Sequence, residues 1–133
     1  MVTDRVGDFI IRLQNAAMIG ATSVSVPHSL HLEAIAKKLA ELGYLRSVEK
    51  EGKAGEAKKR LIVTLALDER GHVRLRGVKR LSAPSRRSYV SFQSAHRVKG
   101  GAGARILSTP KGILSDAEAR RERAGGETLF EIW

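Results

Sequence analysis

Leu61, Val63, Leu65 and Leu67 stand at every second position. That period fits a strand with one buried and one open face, and it excludes an amphipathic helix there. The spacing predicts a strand over Arg60 to Leu67, paired as a hairpin with Leu45 to Val48. The connection Glu49 to Lys59 mixes Gly, Lys and Glu and reads as a loop. Upstream the period becomes helical. Val6, Phe9, Ile10, Leu13 and Ala17 share one face of a helix over Thr3 to Met18, capped by Thr3 or Asp4. Gly20 breaks it, Ser23 to Val26 makes a short strand, and Pro27 ends that strand. Ser29 then caps a second helix running to about Leu42, with Leu32, Ile35, Ala36, Leu39 and Leu42 as its buried stripe and Gly43 closing it.

Beyond the hairpin, Asp68-Glu69-Arg70-Gly71 reads as a turn and Val73 to Val78 as a strand, with Arg74 and Arg76 on one side of it. Pro84-Ser85 marks a second junction, and the domain boundary falls between Asp68 and Leu81. Gly100-Gly101-Ala102-Gly103 lacks the spacing of a phosphate-binding loop and reads as a turn before a strand over Ala104 to Leu107. Ser108, Thr109 and Pro110 then stop the strand and open a polar loop, in which Gly112 permits a tight bend. Ser115 with Glu118 three positions on is a capping box, and Asp116 suits the positive helix end. Gly125-Gly126 ends this short helix, and Glu127 to Trp133 reads as a closing strand. The fold class expected is α+β in two small domains. Residues 1–78 would form an N-terminal α-β-α-β-β domain, and residues 79–133 a C-terminal domain, mostly β with one short helix.

The charge of this 133-residue chain is +10 and unevenly spread. Met1 to Glu69 carries ten basic and nine acidic residues, whereas Arg70 to Trp133 carries fourteen basic and five acidic. Between Arg70 and Lys111 there are eleven basic residues and no acid. A one-signed field of this kind points to a polyanion, nucleic acid foremost. A solvated face that serves solubility would interleave both signs, and a membrane surface would call for a basic amphipathic helix, which is absent. No cysteine is present, so disulfides, thiolate nucleophiles and cysteine metal sites are excluded. No stretch is long and apolar enough to span a bilayer, and the first residues lack a signal-peptide pattern, so the expected location is cytoplasmic.

Catalytic signals fail on inspection. Ser108-Thr109-Pro110-Lys111 matches S-x-x-K, but neither S-D-N nor K-T-G occurs. His28 and His31 lie three apart with Glu33 nearby, while His72 and His96 are far off, which is too few ligands for a metal centre. Asp8, Glu118 and Glu127 form no evident pair. The expectation is no enzyme, no cofactor and no metal. A recognition role fits the polar loop better: Ser108 and Thr109 can approach bases or ribose hydroxyls closely, and Lys111 can meet a phosphate. Lys79, Arg80, Arg86 and Arg87 interleave with Tyr89 and Phe92. Tyr89 either stacks on an unpaired base or packs with its hydroxyl at the rim. Glu127 either accepts from base amino groups or pairs with Arg120 or Arg121. Arg12, Gln14 and Asn15 lie off the first helix's apolar stripe as plain surface residues.

The ordered set Ser108-Thr109-Pro110-Lys111-Gly112, Ser115-Asp116-Ala117-Glu118-Ala119-Arg120 and Gly125-Gly126-Glu127 resembles the signature of the small-subunit ribosomal protein S-eight family. That signature reads S-T-S-K-G, T-D-x-x-A-R and G-G-E. Arg80, Leu81, Ser82, Pro84, Arg87 and Tyr89 follow the family's R-[VL]-S-x-P-G-x-R-x-Y, with Ser85 in place of glycine. Asp8, Arg12, Leu13 and Asn15 follow D-x-x-x-R-[IL]-R-N, with Gln14 in place of the second arginine. Val24, Pro27 and Ser29 follow V-x-x-P-x-S, with Leu30 where a lysine is common. The resemblance implies an RNA-binding structural protein of the small ribosomal subunit. Its partners would be the central domain of small-subunit rRNA, neighbouring small-subunit proteins and, in some members, its own mRNA. The expected RNA contacts are Ser108, Thr109, Lys111, Gly126, Glu127, Arg80, Arg86, Arg87, Tyr89, Asn15 and Ser29. Pro110 replaces a hydroxyl residue of the signature. A non-ribosomal RNA-binding translational regulator is the alternative.

Overall fold

The structure, a computed structural model, describes residues 4–52, 59–91 and 103–133. Thr3, most of the Glu49 to Lys59 loop, Phe92, His96 and residues 100–102 of the glycine-rich turn lie outside them. Among the described residues, three helices and eight strands make an α+β chain, as the periodicities predict. It forms two compact units, one of Ile11–Arg76 and the other of Met1–Ile10 with Gly77–Trp133.

Helix α1, Arg5–Ile19, starts where the Asp4 carboxylate accepts the Gly7 N–H at 3.0 Å. Phe9, Ile10, Leu13 and Ala16 are its buried positions. In the Ile11–Arg76 unit, β1 (Ser23–Pro27), β3 (Arg60–Leu65) and β2 (Leu45–Glu51) form an antiparallel sheet in the order β1-β3-β2. Helix α2, Leu30–Glu41, is capped by Ser29, whose hydroxyl accepts the Leu32 N–H at 3.1 Å. It packs on β2 and buries Leu32, Ile35, Ala36 and Leu39. Gly43, at φ 90°, carries the chain out in a conformation that L side chains avoid.

The strand expected to reach Leu67 ends at Leu65, and Leu67 is 48% exposed rather than buried. The cause is the Asp68 carboxylate. It gathers the N–H groups of Arg70 and His72 at 2.9 and 3.0 Å, turning the chain away from the ladder. The expected strand over Val73 to Val78 is also displaced. Val73 and Leu75 are buried while Arg74 and Arg76 are exposed, so the alternation survives. Val73 makes a single antiparallel bridge to Leu67, with the Arg74 N–H donating to the Ala66 carbonyl at 2.9 Å. Gly77 then exchanges hydrogen bonds with Trp133, and the continuous strand β4 is Val78–Arg80. Arg74 donates to the Gly43 carbonyl at 3.0 Å, and Arg76 pairs with Asp68 at 3.2 Å. Both arginines brace turns instead of lining a sheet.

The second unit is built on β8, Gly126–Ile132. It pairs with β4, with β5 (Tyr89–Val90) and with β6 (Ala104–Thr109), while β7 (Gly112–Ser115) pairs with β6. All pairings are antiparallel. The expected polar loop is thus a β-hairpin: β6 continues through Ser108 and Thr109, Pro110-Lys111 makes the turn, and Gly112 (φ 112°) starts the return. Helix α3, Asp116–Glu122, packs on β6 and β7 and carries the expected capping box between Ser115 and Glu118. It ends earlier than its glycines suggest, since Arg123 takes the left-handed conformation. Ile106, Leu107, Phe130 and Ile132 are wholly buried.

Two outcomes are expected. A Cβ on Gly126 would collide with the Ser108 carbonyl oxygen and stand 3.0 Å from Thr109 Cα, both backbone atoms. Gly126→Ala should therefore destabilise the protein by ~1–3 kcal/mol in denaturant titrations, the usual cost of overpacking. The second concerns Asp4, which pairs with Arg80. Burial opposes its ionisation, but the Arg80 hydrogen bond, the Gly7 N–H and the charges of Arg80 and Arg87 outweigh that and hold the carboxyl below its ordinary value. A depressed carboxyl adds stability above the unfolded value of about 3.9 and loses it as pH falls through the folded value. Asn caps helices as well as Asp does, so Asp4→Asn should lower Tm at pH 6, and the difference from the parent should shrink as pH falls below the unfolded carboxyl value; a pH-independent difference would refute this.

Candidate nucleic-acid interface

Strand register brings four of the predicted residues into one place. Ser108 on β6 stands opposite Glu127 on β8, and Glu127 stands opposite Tyr89 on β5. Directly opposed residues share a sheet face, so Ser108, Glu127 and Tyr89 form a row across three strands. At about 4.8 Å between strands, the row spans about 10 Å, a length that suits an unstacked base and its neighbour. Arg87 enters from the segment before β5, with Nη1 3.0 Å from Glu127 Oε2. Tyr89 is 69% exposed, which removes the packed alternative for its ring. The Ser108 hydroxyl has no protein partner among the described residues.

The backbone around the row is tightly specified. In β8, Phe130 faces Ile106 and Thr128 faces Leu107, so Leu129 is an extra residue, a bulge. Its carbonyl accepts the N–H groups of Leu81 and Ser82 at 3.1 and 3.2 Å. Ser82 is buried, and its hydroxyl accepts the Ser88 N–H at 2.9 Å. Between them, Ala83 and Arg86 exchange backbone hydrogen bonds at 2.9 Å, closing a turn over Pro84-Ser85. That turn needs no positive φ, so serine serves where the signature has glycine. The Ser88 carbonyl in turn accepts the Thr128 N–H at 2.8 Å. Ser82 and Thr128 therefore fix the segment that presents Arg86, Arg87 and Tyr89. Sequence reasoning gave Ser82 no role of its own; its place before Pro84 in the motif was the available signal.

Electrostatics in the row centre on one pair. The hydrogen bond and charge of Glu127 make the Arg87 guanidinium hold its proton more tightly, against a small opposing effect of desolvation. Glu127 does not pair with Arg120 or Arg121. Arg120 is held one helical turn back by Asp116 at 3.2 Å, and the other Asp116 oxygen accepts the Arg105 N–H at 3.0 Å. Arg105 pairs with Glu131 at 2.6 Å, which locks the far end of β6 to β8.

The remaining predicted residues stand apart from the row. The Thr109 hydroxyl accepts the Lys111 N–H at 3.1 Å and donates to the Gly112 carbonyl at 2.8 Å, so it fastens the hairpin turn. Lys111 Nζ donates to the Glu122 carbonyl at 2.8 Å. Gly126 provides the close approach of β8 to β6. Arg80 joins Asp4 and donates to the Ser82 carbonyl at 2.7 Å. Arg86 is exposed at its turn, without an ion pair among the described residues. Ser29 caps α2, and Asn15 is exposed on α1, both in the other unit. His28 faces Glu33 at 3.1 Å, His31 is exposed, and no group of three potential metal ligands occurs among the described residues. Among those residues, no helix is long and apolar enough to cross a membrane.

Comparison with known proteins agrees with the motifs. The sequence model of the family described as Ribosomal protein S8 matches residues 4–133. Proteins named Small ribosomal subunit protein uS8 are similar over the full length. That of Chloroflexus aurantiacus is 42% identical over 134 aligned positions, covering 99% of this chain and 98% of its own. That of Persephonella marina is 39% identical and that of Thermus aquaticus 36%, each covering 100% of both chains. The chain belongs to the ribosomal protein S8 family.

Proposed function

We propose that this chain is a structural constituent of the small ribosomal subunit, without catalytic activity, that binds the central domain of small-subunit rRNA and supports subunit assembly beside neighbouring proteins. Residues 79–133 form the RNA-binding domain. The observation that carries this reading is the row of Ser108, Glu127 and Tyr89 with Arg87 at its edge, set in the half of the chain where cations far outnumber acids. Phosphate attraction positions the RNA and carries the salt dependence. Base discrimination comes from the row: an aromatic face for stacking, a hydroxyl that both donates and accepts, and a carboxylate that accepts only from amino or imino groups. Ser82 and Thr128 hold this geometry before RNA arrives, so little ordering is left to binding.

The two terms separate by substitution. Arg87→Ala should weaken a central-domain rRNA fragment and a scrambled hairpin by similar factors, because a phosphate contact is blind to sequence. Ser108→Ala should lower affinity for the fragment by about fivefold, on the order of one hydrogen bond, and leave the scrambled hairpin unchanged. Equal losses on both RNAs for both variants would sink the division of labour. A parent protein that prefers neither RNA would remove the rRNA reading and leave a general RNA-binding regulator. Co-sedimentation with small subunits distinguishes the same two cases, since a regulator stays free.

A further inference from the structure

The end of α3 holds a feature that the row does not use. Arg123 adopts φ 54° and ψ 44°, and it is the one non-glycine residue with positive φ among the described residues. Glycine is the usual occupant of such a helix end, because an L side chain crowds the following carbonyl. Here Gly125 stands two residues further on, and an arginine takes the strained position. Backbone strain of this kind concentrates where a side chain must be aimed.

Arg123 and Arg121 are both exposed, and neither has an ion pair or side-chain hydrogen bond among the described residues. Arg80, Arg87, Arg105 and Arg120 of the same unit are each matched by a carboxylate. Lys111 explains how like charges can gather at α3's end. Its Nζ donates to the Glu122 carbonyl at 2.8 Å and lies 3.9 Å from the Glu122 carboxylate. It therefore covers the helix's negative end, which would otherwise repel an anion, and ties α3 to the hairpin tip. Ser108 lies three residues before Lys111 on that same hairpin.

We propose that the C-terminal end of α3 is a second RNA contact, in which Arg121 and Arg123 grip phosphates of a strand flanking the one read by Ser108, Glu127 and Tyr89. The inference rests on the RNA-binding reading above. Two observations favour phosphate over an acidic protein surface. None of the exposed large apolar side chains lies between Arg105 and Trp133, whereas protein interfaces depend on buried apolar or aromatic anchors. Unpaired guanidinium forks also match phosphate geometry directly.

The test uses the full chain, a central-domain small-subunit rRNA fragment with a helical turn of flanking duplex on each side, and a scrambled duplex of equal length. Binding constants are measured across a salt series for the parent, Arg121→Gln and Arg123→Gly. Glycine removes the charge and relieves the backbone, so Arg123→Gly should melt at or above the parent temperature, which separates lost contact from lost fold. Each variant should bind both RNAs about threefold to tenfold more weakly and reduce the slope of log K against log salt by about 0.7–0.9. The preference for the fragment should not change. Slopes equal to the parent's in both variants overturn the proposal. The same slopes with weakened binding of poly-glutamate would assign this end to an acidic protein segment and overturn it equally. If the parent shows no preference for the fragment, the rRNA reading fails, while slopes on the scrambled duplex still decide the α3 contact.

Discussion

Everything in the second unit hangs on the backbone ladder of β8. Three strands, β4, β5 and β6, are paired to this one segment, and each positions a part of the proposed interface. β6 brings Ser108, β5 brings Tyr89, and β4 leads into the segment clamped by Ser82. The ladder is possible because Gly126 presents no Cβ to the Ser108 carbonyl, and because the bulge at Leu129 frees a carbonyl for Leu81 and Ser82. Side-chain chemistry at the interface is thus set by main-chain hydrogen bonds. Such a site is rigid by construction, since moving any one member breaks a shared ladder.

Half-buried ion pairs and caps then secure what the ladder aligns. Asp116 serves three ends at once, opening α3, accepting from the β6 backbone and pairing with Arg120. Arg105 and Glu131 bind β6 to β8 at the end remote from Gly126. The hairpin tip is fastened by Thr109 and tied to α3 by Lys111. Thr109 and Lys111 read in the sequence as recognition elements, and in the structure both fasten the hairpin.

What was legible in the sequence was local. Ser29 and the Ser115–Glu118 capping box announced their helices because a cap and its partner lie within one turn. The stripe of Leu32, Ile35, Ala36 and Leu39 and the alternation of Leu61, Val63 and Leu65 needed only a period. Errors arose where a distant partner decides. Leu67 continues the alternation, but the Asp68 turn takes it out of the β3 ladder and leaves it a single bridge to Val73. Val73 to Gly77 alternates as a strand would, yet it makes only one bridge, Val73 to Leu67, before Gly77 meets Trp133. Ser108 and Thr109 looked like a loop because Pro110 follows them, whereas their pairing with Ile113 and Gly112 extends β6. For Glu127 the sequence offered only the nearby Arg120 or Arg121 as a charge partner beside a recognition role, and the cation it meets is Arg87, forty positions away. Ser82 was silent for the same reason, since its clamp closes on Ser88 only after the intervening turn forms.

In the RNA interface proposed above, the pairing of Arg87 with Glu127 changes what association would amount to. In the free protein the guanidinium is already occupied by an anion of the protein's own, so a phosphate does not arrive at a vacant cation. It competes with a carboxylate held 3.0 Å away, and the event is an exchange of one counter-anion for another. Salt screens the resident pair as well as the incoming one, so the two effects partly cancel at this residue. Stray polyanions without a base to offer Glu127 gain the phosphate contact and leave the displaced carboxylate unsatisfied. A target that supplies both groups compensates both sides of the exchange. At the proposed interface, self-occupancy would therefore act as a filter against promiscuous capture, on a surface whose overall charge would otherwise invite it.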